Sequence, residues 1–119
     1  MSSLLNRGAV RGLQSELDVE TAADIVRTFI GDSLELVKAL RTSTSARDRD
    51  GVRLSAHALK STAAVVGAED LSQACAELET IARRRSGALE TKVAEVVRLA
   101  SATRSALRRA GYATPKKSR

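Results

Sequence analysis

Apolar residues recur along this chain at alternating intervals of four and three, the spacing that puts side chains on one face of an α-helix. Val26, Ile30, Ser33, Val37 and Leu40 follow it, and Phe29 and Leu36 widen the face. The pattern predicts a first helix from about Val19 to Leu40. Gly31 lies inside it and should weaken it by about 1 kcal/mol relative to Ala. The polar run Thr42-Ser43-Thr44-Ser45 reads as the turn that ends it. Val52, Ala56, Leu59, Ala63 and Val66 repeat the spacing in a second helix, which Asp48 or Asp50 could cap and Gly67 should end.

A third helix is predicted from about Glu69 to Arg84, with Leu71, Ala74, Cys75, Leu78, Ile81 and Ala82 on its buried stripe. Glu69 and Asp70 open it and Arg83, Arg84 and Arg85 close it, both in the sense that the helix dipole favours. After the break at Ser86-Gly87, a fourth helix runs from about Leu89 to Ala110. It turns Val93, Val96, Val97, Ala100 and Leu107 inward and stops at Gly111. Long amphipathic helices joined by short connections fold back on one another. The expected fold is therefore all-α, an antiparallel up-down four-helix bundle. A short additional N-terminal helix is expected around Val10 to Glu16. Residues 1–111 form the bundle in this reading, and residues 112–119 a basic disordered tail.

Composition narrows the possibilities. The 119 residues carry 43% hydrophobic side chains but only one Phe, one Tyr and no Trp, so the core must be aliphatic. Cys75 is the single cysteine, which excludes an internal disulfide and a thiolate metal site. No apolar run approaches the length of a membrane span, and the N-terminus lacks a basic segment followed by a long apolar stretch. A cytoplasmic protein without membrane contact is expected. Met1 and the complete helix set suggest a free-standing chain. The net charge is +6, yet the last acidic residue is Glu95. Seven cations follow it (Arg98, Arg104, Arg108, Arg109, Lys116, Lys117 and Arg119), and without them residues 1–97 carry a net charge of −1. The basic excess belongs to the last helix and the tail.

The chain has one histidine, His57. It sits about 100° round the second helix from Ala56, at or beyond the edge of the buried stripe. Lys60, Ser61 and Ala64 follow at i+3, i+4 and i+7, and Arg53 precedes it by one turn. That face joins an imidazole and two cations to small side chains that leave room for a large partner. Neutral imidazole is a good nucleophile near pH 7, since its ordinary pKa is about 6.5. An exposed ring could attack a phosphoryl group in line, and Lys60 could offset the charge of the bound oxygens. No glycine-rich phosphate loop is present, so ATP is not the expected donor. With no second histidine, a metal centre on this chain is not expected.

The segment from Ala56 through His57, Leu59, Lys60, Ser61, Thr62, Ala63, Gly67, Ala68 and Leu71 resembles the signature of histidine-containing phosphotransfer (HPt) domains. Cys75, Leu78-Glu79, Asp48 and Phe29 also match. The resemblance spans about residues 16–110 and is most specific over 48–79. It implies a four-helix bundle in which His57 accepts the phosphoryl group, Lys60 stabilises it and Gly67 lets the following segment pass close beneath the active helix. Glu79 falls where such domains carry Gln or Glu, and could either orient His57 or lie on the surface. Ser61 stands at a position that is frequently Gly, and Thr62 is larger than usual.

The implied protein is a phosphorelay intermediate rather than a self-sufficient enzyme. A receiver-domain aspartate, on a response regulator or a hybrid histidine kinase, would donate to His57, and a second receiver would take the group back. The chain itself would need no cofactor, since Mg²⁺ is expected on the receiver. Docking is expected around Ala56, Ser61, Ala64 and Gly67, with Glu79 nearby and Arg53 and Lys60 facing the receiver's acidic pocket. A monomer is expected. Two other readings remain: a docking module without transfer, and a nucleic-acid binder using the basic C-terminus around Arg104, Arg108 and Arg109. The near absence of aromatics for base stacking argues against the second.

Overall fold

The computed structural model describes Leu5, residues 19–85 and residues 87–111. The expected helix around Val10–Glu16 and the tail at 112–119 lie outside these residues. The described chain folds as four helices: α1 (Val19–Ser45), α2 (Arg49–Val65), α3 (Glu69–Arg84) and α4 (Leu89–Arg109). Each packs on its neighbours in sequence, and α1 closes the ring against α4, an up-down bundle.

The periodic stripes face the centre as expected. Val52, Ala56, Leu59 and Ala63 of α2, and Val66 at its C-cap, are all fully buried. Val26, Phe29, Val37 and Leu40 meet them from α1, Leu71, Cys75 and Leu78 from α3, and Val96, Ala100 and Leu107 from α4. Ile81 and Val97, expected inside, are only half-buried at the edges of their stripes.

Two expectations need correction. The run Thr42–Ser45 continues α1 by more than a turn instead of ending it. Its hydroxyls satisfy the helix from within: Thr44 Oγ1 donates to the Leu40 carbonyl at 2.7 Å. Helix α1 ends at Ser45, and the chain turns away where Arg47 takes a left-handed φ of 57° and Asp48 N–H donates back to the Ser43 carbonyl. Arg104 is the second correction. Counted by sequence among the exposed C-terminal cations, it is only 8% exposed. It occupies an inward turn of α4 between Ala100 and Leu107, where its Nη1 donates to Ser33 Oγ at 3.2 Å. Burial, and secondarily the charge of Arg108, lowers its pKa.

Capping fixes the ends of α2. Asp48 is the N-cap, and its Oδ1 accepts from Gly51 N–H at 3.0 Å. At the other end, Gly67 N–H donates to the Ala64 carbonyl and Ala68 N–H to the Ala63 carbonyl, with Gly67 at φ 71°. This paired bonding stops the helix and turns the chain directly into α3.

Two glycines separate propensity from packing. Gly31 faces open space, whereas a Cβ on Gly51 would lie 2.3 Å from Ser43 Oγ and 2.6 Å from Asp48 Oδ2. Gly31→Ala should raise stability by about 0.5–1 kcal/mol. Gly51→Ala should lower it by about 1–3 kcal/mol, because the added methyl displaces the cap of α2. Urea denaturation of the two variants checks this, and the same sign for both would contradict the packing at the α1–α2 corner.

Candidate functional site

The site lies where α2 and α3 run side by side, so its geometry follows from the register of two rigid helices. Helix α2 supplies His57 and Lys60 one turn apart, and α3 supplies Glu79 from the edge of its buried stripe. The His57 side chain is 61% exposed, that of Lys60 34%, and that of Glu79 only 7%. Glu79 thus sits beneath the other two. Ser72 Oγ, donating to the Lys60 carbonyl at 3.4 Å, ties α3 to α2 beside them.

The Glu79 carboxylate contacts both partners. Its Oε2 lies 2.9 Å from His57 Nδ1 and its Oε1 2.6 Å from Lys60 Nζ. The histidine contact has hydrogen-bond geometry. The lysine contact is an ion pair, and Oε1 has no directed hydrogen bond. Burial alone would raise the Glu79 pKa, but the close contacts and charges of Lys60 and His57 outweigh it and hold the group below the ordinary glutamate value. Glu79 is therefore ionised at neutral pH and is only an acceptor. A neutral His57 ring must then carry its proton on Nδ1, which leaves the Nε2 lone pair free on the exposed side. Of the two roles that the sequence left open for Glu79, the structure selects the hydrogen bond to His57. Cys75, one turn before Glu79, is buried in the core. Burial, and then the nearby Glu79 charge, pushes its thiol up to about 12 despite the opposing charge of Lys60, so it stays a protonated thiol within the core at neutral pH.

The surface around His57 partly matches expectation. Ser61 and Ala64 are exposed beside it. The Ser61 and Thr62 hydroxyls donate back to the His57 and Ala58 carbonyls, so neither projects toward a partner. Arg53 is half-buried at the edge, 3.8 Å from Asp50. Ala56 and Glu79, expected among the docking residues, are buried: Ala56 lies on the core stripe and Glu79 under the imidazole. Gly67 is also buried, at the turn between the helices. Sequence reasoning missed Leu54 and Val65, which are 59% and 55% exposed. They lie eleven residues apart, three helical turns, on the same face as His57 and Ser61. The available signal was two large aliphatic residues on the otherwise polar face of an amphipathic helix. Among the described residues, no three His, Cys, Asp or Glu side chains are grouped to hold a metal ion, and no helix is long and apolar enough to cross a membrane.

Curated proteins gave no match. Among solved structures, the chain is similar to histidine-containing phosphotransfer protein B from Pseudomonas aeruginosa PAO1, with a TM-score of 0.85 and 24% identity over 92% of this chain and 95% of the other. At that identity the likeness speaks for the fold. The family model described as the Hpt domain matches residues 24–110, which include all of α2 and α3 and hence His57, Lys60 and Glu79. The chain belongs to the Hpt domain family and is a histidine phosphotransfer protein of the two-component phosphorelay.

Proposed function

We propose that His57 is the residue that carries the phosphoryl group, through its Nε2 atom, between the aspartates of two receiver domains. The observation that carries this reading is the 2.9 Å contact of Nδ1 with the buried Glu79 carboxylate on a ring that is otherwise 61% exposed. One nitrogen is held as the donor, and the other faces solvent with its lone pair available. In the forward step Nε2 attacks the phosphorus of an aspartyl phosphate. The N–P bond forms, the acyl P–O bond breaks, and the aspartate leaves as a carboxylate. Return to a second receiver reverses these changes.

Such transfer depends on positioning and charge, and it needs little chemistry from the acceptor. The rigid α2–α3 pair supplies the positioning. Lys60, exposed enough for its ammonium to turn outward, supplies positive charge beside the incoming group. The Mg²⁺ and the acidic residues that complete the reaction belong to the receiver. Leu54 and Val65 sit about 4.5 and 12 Å from His57 along the helix axis. They suit apolar anchoring of a partner on either side of the nucleophile, with Ser61 and Ala64 leaving the approach to the imidazole open. The nucleic-acid alternative is weakened, because Arg104, one of its three clustered arginines, packs into the bundle.

Incubation with phosphorylated receiver domains tests this reading. Acid-labile, base-stable label should appear on the wild type and be absent from His57→Gln, whose helicity should be unchanged because the ring is exposed. Label that survives in His57→Gln would remove His57 from the role. Lys60→Ala should slow transfer by about tenfold or more while receiver binding persists, and an unchanged rate would remove Lys60 from the mechanism. Leu54→Glu and Val65→Glu should weaken receiver binding without altering helicity. Equal affinity for the wild type and both variants, read by calorimetry, would place docking elsewhere.

A further inference from the structure

The roles of Nε2 and Lys60 leave the charge on Glu79 unexplained, since a neutral amide would also accept a hydrogen bond from Nδ1 and orient the ring. That charge has consequences once the phosphoryl group is attached. These consequences rest on His57 being the acceptor. Attack through Nε2 turns the ring into a cation that still carries the proton on Nδ1. If that proton stays, a receiver aspartate that attacks the phosphorus expels neutral imidazole, a good leaving group. The N–P electron pair returns to Nε2 and the original tautomer is restored. If the proton is lost, Nδ1 presents a lone pair to Glu79 Oε2 at 2.9 Å, where two acceptors oppose each other, and the leaving group would be an imidazolate.

Lys60 adds a second effect. Its ammonium pairs with Glu79 Oε1 at 2.6 Å, and the phosphoryl oxygens on the neighbouring ring bring further negative charge. One cation then serves two anions, one of them buried at 7% side-chain exposure and unable to turn to solvent. Both effects act in the same direction. The other charged group on this face of α2, Arg53, faces Asp50 rather than the carboxylate. The buried thiol of Cys75 is uncharged at neutral pH.

We propose that the buried Glu79 carboxylate keeps phosphorylated His57 a short-lived, ready donor, by holding the proton on Nδ1 and by competing with the phosphoryl group for Lys60. Glu79 is thus a positioning residue whose charge biases the chain toward passing the group on rather than storing it.

The test compares wild type, Glu79→Gln, Lys60→Ala and the double variant, each labelled from a phosphorylated receiver and then freed of it. At about pH 8, above the ordinary imidazole range, the label on Glu79→Gln should outlast that on wild type several-fold. Onward transfer to fresh receiver should slow, because the amide can turn its N–H₂ toward an unprotonated Nδ1 and Lys60 is released to the phosphoryl group. The gain in lifetime should shrink in the Lys60→Ala background, a coupling that a purely structural role would not produce. Nitrogen NMR of phosphorylated wild type at the same pH should show Nδ1 still bonded to hydrogen, a readout that does not depend on any variant folding. Equal lifetimes and transfer rates for Glu79→Gln and wild type, or an Nδ1 without hydrogen in the wild type, would overturn the inference while leaving His57 as the acceptor. Failure of the wild type to take label from any receiver would instead overturn the phosphotransfer reading on which it rests.

Discussion

The site depends on one buried negative charge. Glu79 projects from α3 into the seam with α2, and it is tolerated there because a cation and an imidazole N–H meet its two oxygens. An unpaired carboxylate at that depth would be strongly unfavourable. The pairing therefore constrains both helices: α2 must present His57 and Lys60 one turn apart above the carboxylate, and α3 must hold Glu79 in register with them. The ion pair works less as a source of stability than as a clamp that fixes which imidazole nitrogen faces outward.

The rest of the bundle holds that register. Four fully buried side chains of α2, with Val66 at its C-cap, commit one face to the core, so the opposite face, with His57, has no rotational freedom. Asp48 at one end and the Gly67 turn at the other set where the helix begins and stops. The Gly67 turn also brings α3 straight back alongside α2, and this is what puts Glu79 under a histidine twenty-two positions earlier. A scaffold of up-down helices thereby presents the exposed His57 ring, with Glu79 beneath it and Lys60 beside it.

Much of this was legible in the chain. The four-three spacing gave all four helices and most of the core, because the solvent exposure of a helical face depends directly on its period. His57 and Lys60 were legible because both lie on one helix, where sequence separation fixes relative direction. The misplaced features share a cause. The Thr42–Ser45 run looked like a turn by composition, yet its side chains could bond to their own helix. Arg104 looked like a surface charge by type, yet its position in the stripe carried it inward to Ser33. Residue type was read there without its place in the helical period.

The sequence by itself determined the fold class, the helix that carries the histidine, and the family. These rest on local periodicity and on motif spacing within a continuous stretch. Only the tertiary structure decided the contacts of Glu79, its burial beneath the imidazole, and the exposure of Leu54 and Val65 beside His57. Those depend on how one helix is rotated and shifted against another. That rotation is set by packing summed over the whole core, and no single segment of the chain encodes it.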